Sequence, residues 1–191
     1  MNKKIIFIGG FFGTKFDHLL FKKILSDYEL IIFQYDTRLL ESIEVLSRKL
    51  KSFIDLLKLR KNEKIIIIGL SAGGIVAEYY LKKLDSSKCD KFVSIYSPFK
   101  GSFLSYLFPK KFKGLMDLKP NTELLKKLQS LKLKNIKILS FWCFFDPIVA
   151  GMSGKYINSK HCFFFIHSFI QFWPFLIYRI KRFLHWFRFF E

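Results

Sequence analysis

The chain has 191 residues, of which 51% are hydrophobic and 19% aromatic, and its formal net charge at pH 7 is +18. This apolar content excludes an intrinsically disordered chain, and the length is sufficient for one domain with a full core but not for two. Cys89, Cys143 and Cys162 show neither CxxC nor zinc-finger spacing. We therefore expect reduced thiols, a cytoplasmic location and no bound metal.

The first predicted element is a strand from Lys4 to Gly9, a run of Ile and Phe typical of a strand buried on both faces. The same start, two lysines followed by apolar residues, imitates a secretory signal peptide. Two glycines interrupt that apolar stretch, and no A-x-A-like cleavage site follows before Lys15. These features favour the buried strand.

Helical and strand-like patterns then alternate along the chain. A helix is predicted from about Asp17 to Ser26 and a strand from Glu29 to Tyr35. Ser42–Arg60 is the clearest helix, because its apolar residues recur at spacings of three and four. The later predicted elements are strand Lys64–Leu70, helix Gly73–Leu84, strands Lys91–Tyr96, Ile136–Phe145 and Cys162–Ile166, and a terminal helix over about 170–190. This alternation predicts an α/β protein with a mainly parallel six-stranded sheet flanked by helices.

One uncharged stretch raises the question of a membrane span. Cys162 to Tyr178 carries no formal charge, but it is at the short end of the length that crosses a bilayer. It also contains His167 and Pro174. We interpret it as a strand, a loop and the start of a helix.

The most informative motif is Gly69-Leu70-Ser71-Ala72-Gly73, a G-x-S-x-G sequence at the junction of a predicted buried strand and a predicted helix. A serine nucleophile on such a sharp turn adopts strained backbone angles, and the two glycines let strand and helix approach it closely. Ser71 is therefore the candidate nucleophile. The alternative is a glycine-rich turn whose serine only caps the helix.

With this motif the chain resembles the α/β-hydrolase fold, and within it the lipase and esterase-like serine hydrolases. The resemblance implies one α/β-hydrolase domain over residues 1–191, with a cap or lid insertion at about 99–133. It also implies an oxyanion loop at Ile8 to Thr14, where Gly9 replaces the family's usual histidine. The implied oxyanion donors are the backbone N–H groups of Phe11 and Ala72, with Phe12 as an alternative to Phe11.

The resemblance also implies an acid and a histidine, in that order, each just beyond a strand. Asp146 follows the apolar run that ends at Phe145, and the alternative for it is a turn-forming Asp-Pro. His167 follows the strand that ends at Ile166. His161 is its competitor, and we expect His161 at the opposite edge of the sheet from Ser71 because it precedes that strand. His18 and His185 lie on predicted helices and are expected to be structural.

The implied chemistry is hydrolysis of carboxylic esters or thioesters with hydrophobic acyl chains, by Ser71, His167 and Asp146 and without a cofactor. Residues 100–137 hold ten Lys and Arg against two Asp and Glu, with aromatic residues between them. This basic stretch is either a solvated face or a surface for anionic membrane or an acidic carrier protein. The alternative function is a non-catalytic module for anionic membrane on a hydrolase scaffold. Nucleic acid is not expected, because no nucleic-acid motif is present.

Overall fold

Six parallel strands form one sheet at the centre of the molecule. The computed structural model describes residues 3–13, 21–22, 25–145, 156 and 160–166, with the side chains of 143–145 and 160–166 outside that description. The strands are β1 Lys4–Ile8, β2 Glu29–Phe33, β3 Ile65–Leu70, β4 Cys89–Ile95, β5 Lys137–Phe145 and β6 Lys160–Ile166. Their order is β2-β1-β3-β4-β5-β6, and every neighbouring pair is parallel.

Apolar side chains cover both faces of the central strands. All six residues of β3 are buried. Ile65 and Ile67 belong to one apolar cluster, while Ile66 and Ile68 belong to the cluster on the other face. Because successive side chains of a strand point to opposite faces, a strand covered on both sides needs an unbroken apolar run. The isoleucines of β3 meet that requirement.

Helices flank the sheet, as predicted. Within the described residues they are α1 Ile43–Leu56, α2 Ala72–Tyr79, α3 Lys113–Asp117 and α4 Glu123–Ser130, with a π-helical turn Tyr80–Leu84 after α2 and a 3-10 helix Phe103–Leu107 before α3. The α/β class and the parallel sheet flanked by helices are therefore confirmed.

Helix α1 begins where the sequence predicts and ends earlier. Ser42 caps it, since its Oγ accepts a hydrogen bond from the amide of Val45 at 3.4 Å. The helix ends at Leu56 instead of Arg60, because Lys58 has a φ of 44° and cannot continue it. The helix packs against α2, and the buried Ser47 hydroxyl donates to the carbonyl of Val76 at 2.9 Å.

The predicted cap insertion at residues 99–133, called here the cap segment, folds into three short helices. It is tied to the start of α1 at two points. The Asp117 carboxylate accepts a hydrogen bond from the amide of Ile43 at 2.8 Å, and the amide of Gly114 donates to the carbonyl of Leu39 at 3.0 Å. Leu115, Leu118, Leu125 and Leu128 are also buried in the main apolar core, so packing and these hydrogen bonds together position the cap segment.

Some predicted elements lie largely outside the described residues. Of the helix predicted over 17–26, residues 21 and 22 are helical, and Phe21 packs against Phe7 at a ring distance of 4.6 Å. The terminal helix over about 170–190 is not among the described residues. In the part of the chain that the structure describes, no helix is both long and apolar enough to cross a bilayer.

Candidate active site

Ser71 occupies the single-residue turn between β3 and α2. Its φ is 51° and its ψ is −124°, a left-handed conformation that is costly for any residue with a Cβ. Two backbone hydrogen bonds maintain it. The amide of Ser71 donates to the carbonyl of Ile95 at 2.7 Å, and its carbonyl accepts from the amide of Gly74 at 3.0 Å. The surrounding structure therefore holds the serine in a conformation that it would not adopt alone.

The glycines around Ser71 are required by close backbone approaches. A Cβ on Gly69 would lie 2.5 Å from the Cα of Gly74, and one on Gly73 would lie 2.3 Å from the carbonyl oxygen of Gly9. A Cβ on Gly74 would lie 1.8 Å from the hydroxyl oxygen of Ser97. No side chain fits at these three positions without moving its neighbours. The G-x-S-x-G motif is thus a packing requirement of this turn.

The loop after β1 lies directly against Ser71. A Cβ on Gly10 would lie 2.8 Å from the Cβ of Ser71 and 3.5 Å from its hydroxyl oxygen. This loop is the stretch that the sequence predicts to be the oxyanion loop. The glycine at position 10 therefore allows the loop's backbone to approach the serine.

The segment after β2 holds this loop in place. The Tyr35 hydroxyl donates a hydrogen bond to the carbonyl of Gly9 at 2.6 Å, and the amide of Phe12 donates to the carbonyl of Thr37 at 3.1 Å. Burial raises the pKa of the Tyr35 phenol, so the hydroxyl stays protonated and able to donate. The Phe12 amide is committed to Thr37. Among the described residues the amide of Phe11 forms no hydrogen bond.

A small cleft of about 30 Å³ is lined by three of the predicted site residues. Its wall includes the candidate nucleophile Ser71 and both predicted oxyanion donors, Phe11 and Ala72. The remaining lining comes from the start and middle of the cap segment and the residue before it: Pro98, Ser102, Leu104, Ser105, Leu115 and Leu118. The cleft is therefore apolar apart from the hydroxyl groups and the backbone amides.

The predicted acid and base lie outside the described residues. The strand ends that precede them are described: Phe145, the last residue of β5, pairs with Ile166, the last residue of β6. Asp146 and His167 are the next residues along the chain in each case. In a parallel sheet, the carboxyl ends of both strands lie at the same edge.

The expected position of His161 is wrong. His161 pairs with Ser140, which pairs with Ser94, which in turn pairs with Gly69. His161 therefore lies in the row of the sheet two residues before Ser71, and not at the opposite edge. The cause is the shift of β6 along the sheet relative to β3: β6 begins level with the last residues of β3 and continues beyond its end. Three strand spacings of about 4.8 Å still separate β6 from β3.

Two neighbours of the cleft were not predicted to have a role there. Tyr35 begins the turn Tyr35-Asp36-Thr37-Arg38. In this turn Arg38 forms an exposed ion pair with Asp36 at 2.8 Å, and its hydrogen bonds lower the pKa of the Asp36 carboxyl. The contact of the Tyr35 hydroxyl with Gly9 has no sequence signal. Ser105 likewise follows no motif. Within the described residues no cluster of three His, Cys, Asp or Glu side chains could hold a metal ion.

Comparisons with known proteins agree with this architecture. A family model for lecithin:cholesterol acyltransferase matches residues 14–130, more than half of the chain. A search of curated proteins finds no match.

Solved structures of lipases and esterases have the same fold. A monoacylglycerol lipase from Paleococcus ferrophilus superposes with a TM-score of 0.72 at 12% identity, covering 95% of this chain and 93% of that one. Aspergillus fumigatus lipase B gives 0.68 at 19% identity over 84% of this chain, and a metagenomic carboxyl esterase gives 0.64 at 13% over 84%. The chain spans 44% of that lipase B and 62% of that esterase.

Proposed function

The chain belongs to the lecithin:cholesterol acyltransferase family and has the α/β-hydrolase fold of lipases and esterases, and we propose that it hydrolyses carboxylic esters, or thioesters, of hydrophobic acyl chains. One observation carries the proposal. Ser71 stands on a strained turn in a cleft, beside two backbone amides that come from separate elements. Strain of this kind persists where a function requires it.

The proposed nucleophile is the Ser71 hydroxyl, and the proposed oxyanion donors are the amides of Phe11 and Ala72. Ala72 is the first residue of α2, so its N–H has no acceptor within the helix and lies at the positive end of the helix dipole. The Phe12 amide is already bonded to Thr37, which supports Phe11 as the second donor. Amide groups fixed in this way stabilise charge as it develops on the carbonyl oxygen.

The proposed base is His167 and the proposed acid is Asp146. His167 takes the proton of the Ser71 hydroxyl as the serine oxygen attacks the acyl carbon, and Asp146 orients the imidazole. The protonated imidazole then gives that proton to the leaving alcohol, and water releases the acyl group by the same route in reverse. The pairing of Phe145 with Ile166 supports this assignment, because each candidate follows one of the paired strand ends.

The lining of the cleft supports a hydrophobic acyl substrate. Phe11, Leu104, Leu115 and Leu118 present hydrocarbon to the space beside Ser71. An acyl chain that leaves water for such a surface gains about 0.8 kcal/mol for each buried CH₂ group. A charged acyl portion would have no partner in this lining.

The direct test is covalent labelling with a fluorophosphonate probe, combined with hydrolysis of p-nitrophenyl butyrate. We expect the probe to label wild type and Ser130→Ala, an exposed serine of α4, and not Ser71→Ala. Ser71→Ala should lose at least about a thousandfold in kcat and keep its melting temperature. Labelling of Ser71→Ala equal to wild type would refute the proposal.

The two histidines provide a second test. His167→Ala should lose hydrolysis as completely as Ser71→Ala does, and His161→Ala should retain most of it. The strand register places His161 nearer to Ser71 along the strand direction than the sequence predicts. Comparing the two histidine variants therefore shows which of the two residues acts as the base. Loss in His161→Ala alone would assign the base to that residue.

We also propose that the cap segment contacts an anionic membrane. Phe103, Tyr106 and Leu107 are 63%, 57% and 77% exposed on the 3-10 helix, and Phe12 beside the cleft is 58% exposed. The ammonium group of Lys119 lies 5.0 Å from the ring of Tyr106, so charge and apolar surface are adjacent. Exposed aromatics beside lysines are typical of interfacial binding. An acidic carrier protein would use the lysines without the exposed apolar side chains.

Vesicle sedimentation separates these interpretations. Binding should increase with the fraction of anionic lipid, weaken with salt, and decrease in Phe103→Ser/Leu107→Ser while ester hydrolysis in solution is kept. Equal binding by wild type and this double variant would contradict the proposed surface. A protein that binds vesicles but shows no Ser71-dependent hydrolysis would instead be the non-catalytic membrane module. The cytoplasmic location expected from the cysteines stays a prediction.

A further inference from the structure

A second and larger cavity, called here the cap cavity, is bordered by Phe99 and Leu131 of the cap segment, Glu78 of α2 and Ile138 of β5. Its volume is about 190 Å³, compared with about 30 Å³ for the cleft at Ser71. The cap segment contributes to both spaces, but none of the described residues lines both. The cap cavity is therefore separate from the place where ester hydrolysis is proposed.

Apolar side chains form most of the wall of the cap cavity. Phe99 and Ile138 are 5% and 9% exposed, and Leu131, Leu133 and Ile136 are half-buried. Hydrocarbon that leaves water for such a wall is stabilised in proportion to the area that it buries. An apolar cavity of about 150 Å³ accommodates benzene, so the cap cavity has room for one chain of about eight carbon atoms. A lipid with two long chains exceeds that volume.

The buried charges in this wall are already paired with each other. The side chains of Glu78 and Lys82 are 4% exposed, and the Lys82 ammonium lies 2.7 Å from the Glu78 carboxylate. The ammonium also donates to the carbonyl of Leu128 at 2.7 Å and lies 5.1 Å from the ring centre of Tyr156. A ligand carboxylate at this depth would lose its hydration and meet the like charge of Glu78. The interior therefore fits the hydrocarbon part of a ligand and not its charged end.

Two further lysines place positive charge where the cap cavity meets solvent. Lys100 and Lys132 both belong to its lining, and both are exposed. With Lys82, three lysines of the described lining stand against the single carboxylate of Glu78. An anion beside the two exposed lysines keeps part of its water and is attracted by their charge, so it binds there at a lower cost than in the interior.

We infer that the cap cavity binds a single-chain aliphatic carboxylate of about eight carbon atoms, with the chain inside and the carboxylate beside Lys100 and Lys132. The volume selects one chain over two, the apolar wall selects hydrocarbon, and the exposed lysines select an acid over a neutral alcohol. This binding site does not depend on the chemistry of Ser71, because the cavity and the cleft share none of the described residues.

The size of the site is tested by titration calorimetry of the chain with butyrate, hexanoate, octanoate, decanoate and dodecanoate. Affinity should rise about fourfold for each added CH₂ group up to octanoate and then stay level, because further carbons remain in water. Leu133→Trp adds volume to the wall and should move this limit to a shorter acid. Leu124→Trp is the matched control, since Leu124 is also half-buried against the core but does not line the cap cavity.

The charge of the site is tested with octanoate and two lysine variants. Lys132→Glu should weaken octanoate binding about fivefold, because a like charge replaces an exposed ion pair. Lys134→Glu makes the same change in net charge at an exposed residue outside the lining, and it should bind octanoate as wild type does. Octanol has the same chain without the carboxylate and should bind wild type at least about fivefold more weakly than octanoate.

Several results would overturn the inference. They are no binding of octanoate, equal binding of octanoate and octanol, and an affinity that keeps rising to dodecanoate. An equal loss in Lys132→Glu and Lys134→Glu would mean general attraction to a basic protein, and a loss in neither would place octanoate elsewhere, such as the cleft at Ser71. Ester hydrolysis is not measured in these titrations, so failure of the proposed function would leave their result intact.

Discussion

The turn around Ser71 and the cap segment border the same cleft but are built in different ways. The turn has glycines at 69, 73 and 74, where a Cβ would clash with neighbouring backbone or with the Ser97 side chain. The cap segment consists of short helices that bury leucines in the core and leave Phe103, Tyr106 and Leu107 exposed. We therefore expect backbone crowding to hold the proposed nucleophile in place, whereas cap side chains form part of the cleft lining beside it.

The largest effect should come from the turn. Gly73→Ala places a Cβ within 2.3 Å of the Gly9 carbonyl oxygen, and these are backbone atoms that cannot move aside. We expect a loss of more than about 4 kcal/mol in the free energy of unfolding, measured by urea denaturation. Gly13→Ala is the control, because its nearest neighbour would be 3.1 Å away and its cost should be much smaller. Equal stability of both variants would show that the turn tolerates movement.

The next effect concerns the link between the two regions. Lys82, on the π-helical turn, forms an ion pair with Glu78 at 2.7 Å and donates to the carbonyl of Leu128 in α4 at 2.7 Å. Both side chains are 4% exposed, and burial raises the pKa of the Glu78 carboxyl despite the ammonium beside it. Removing one charge of a buried pair leaves the other without compensation.

We therefore expect Lys82→Met to reduce the free energy of unfolding by about 3 kcal/mol. The double variant Glu78→Met/Lys82→Met should recover most of that loss, since both charges are then absent. Chemical denaturation of the two variants measures the difference. A double variant less stable than Lys82→Met would mean that packing, and not charge burial, governs this link.

The smallest effect should appear at the oxyanion loop. Tyr35→Phe removes the hydrogen bond to the Gly9 carbonyl and keeps the ring, so the loop is held less firmly while the fold persists. We expect kcat for p-nitrophenyl butyrate to fall about tenfold with little change in KM, because the oxyanion amides act mainly in the transition state. Tyr106→Phe, which alters an exposed tyrosine of the cap segment, should leave kcat unchanged. A fall in KM alone would contradict a positioning role for Tyr35.

Much of the fold follows from local patterns in the sequence. The apolar runs predict the strands to within one or two residues, and the period of Ser42–Arg60 predicts α1. The serine turn is equally local, since strand, glycines and helix are all within ten residues. These features depend on interactions between near neighbours in the chain, which composition and spacing reveal.

Contacts between segments that are distant in the sequence could not be predicted from it and are visible only in the tertiary structure. The position of His161 depends on how far β6 is shifted along β5. The length of a strand does not predict this shift. The commitment of the Phe12 amide to Thr37 depends on two loops meeting at the edge of the sheet. The unpartnered hydroxyl of Ser105 is visible only when every neighbour is in place. Sequence periodicity reports which face of an element is buried, but contacts between distant segments depend on stagger and close packing, which no local pattern encodes.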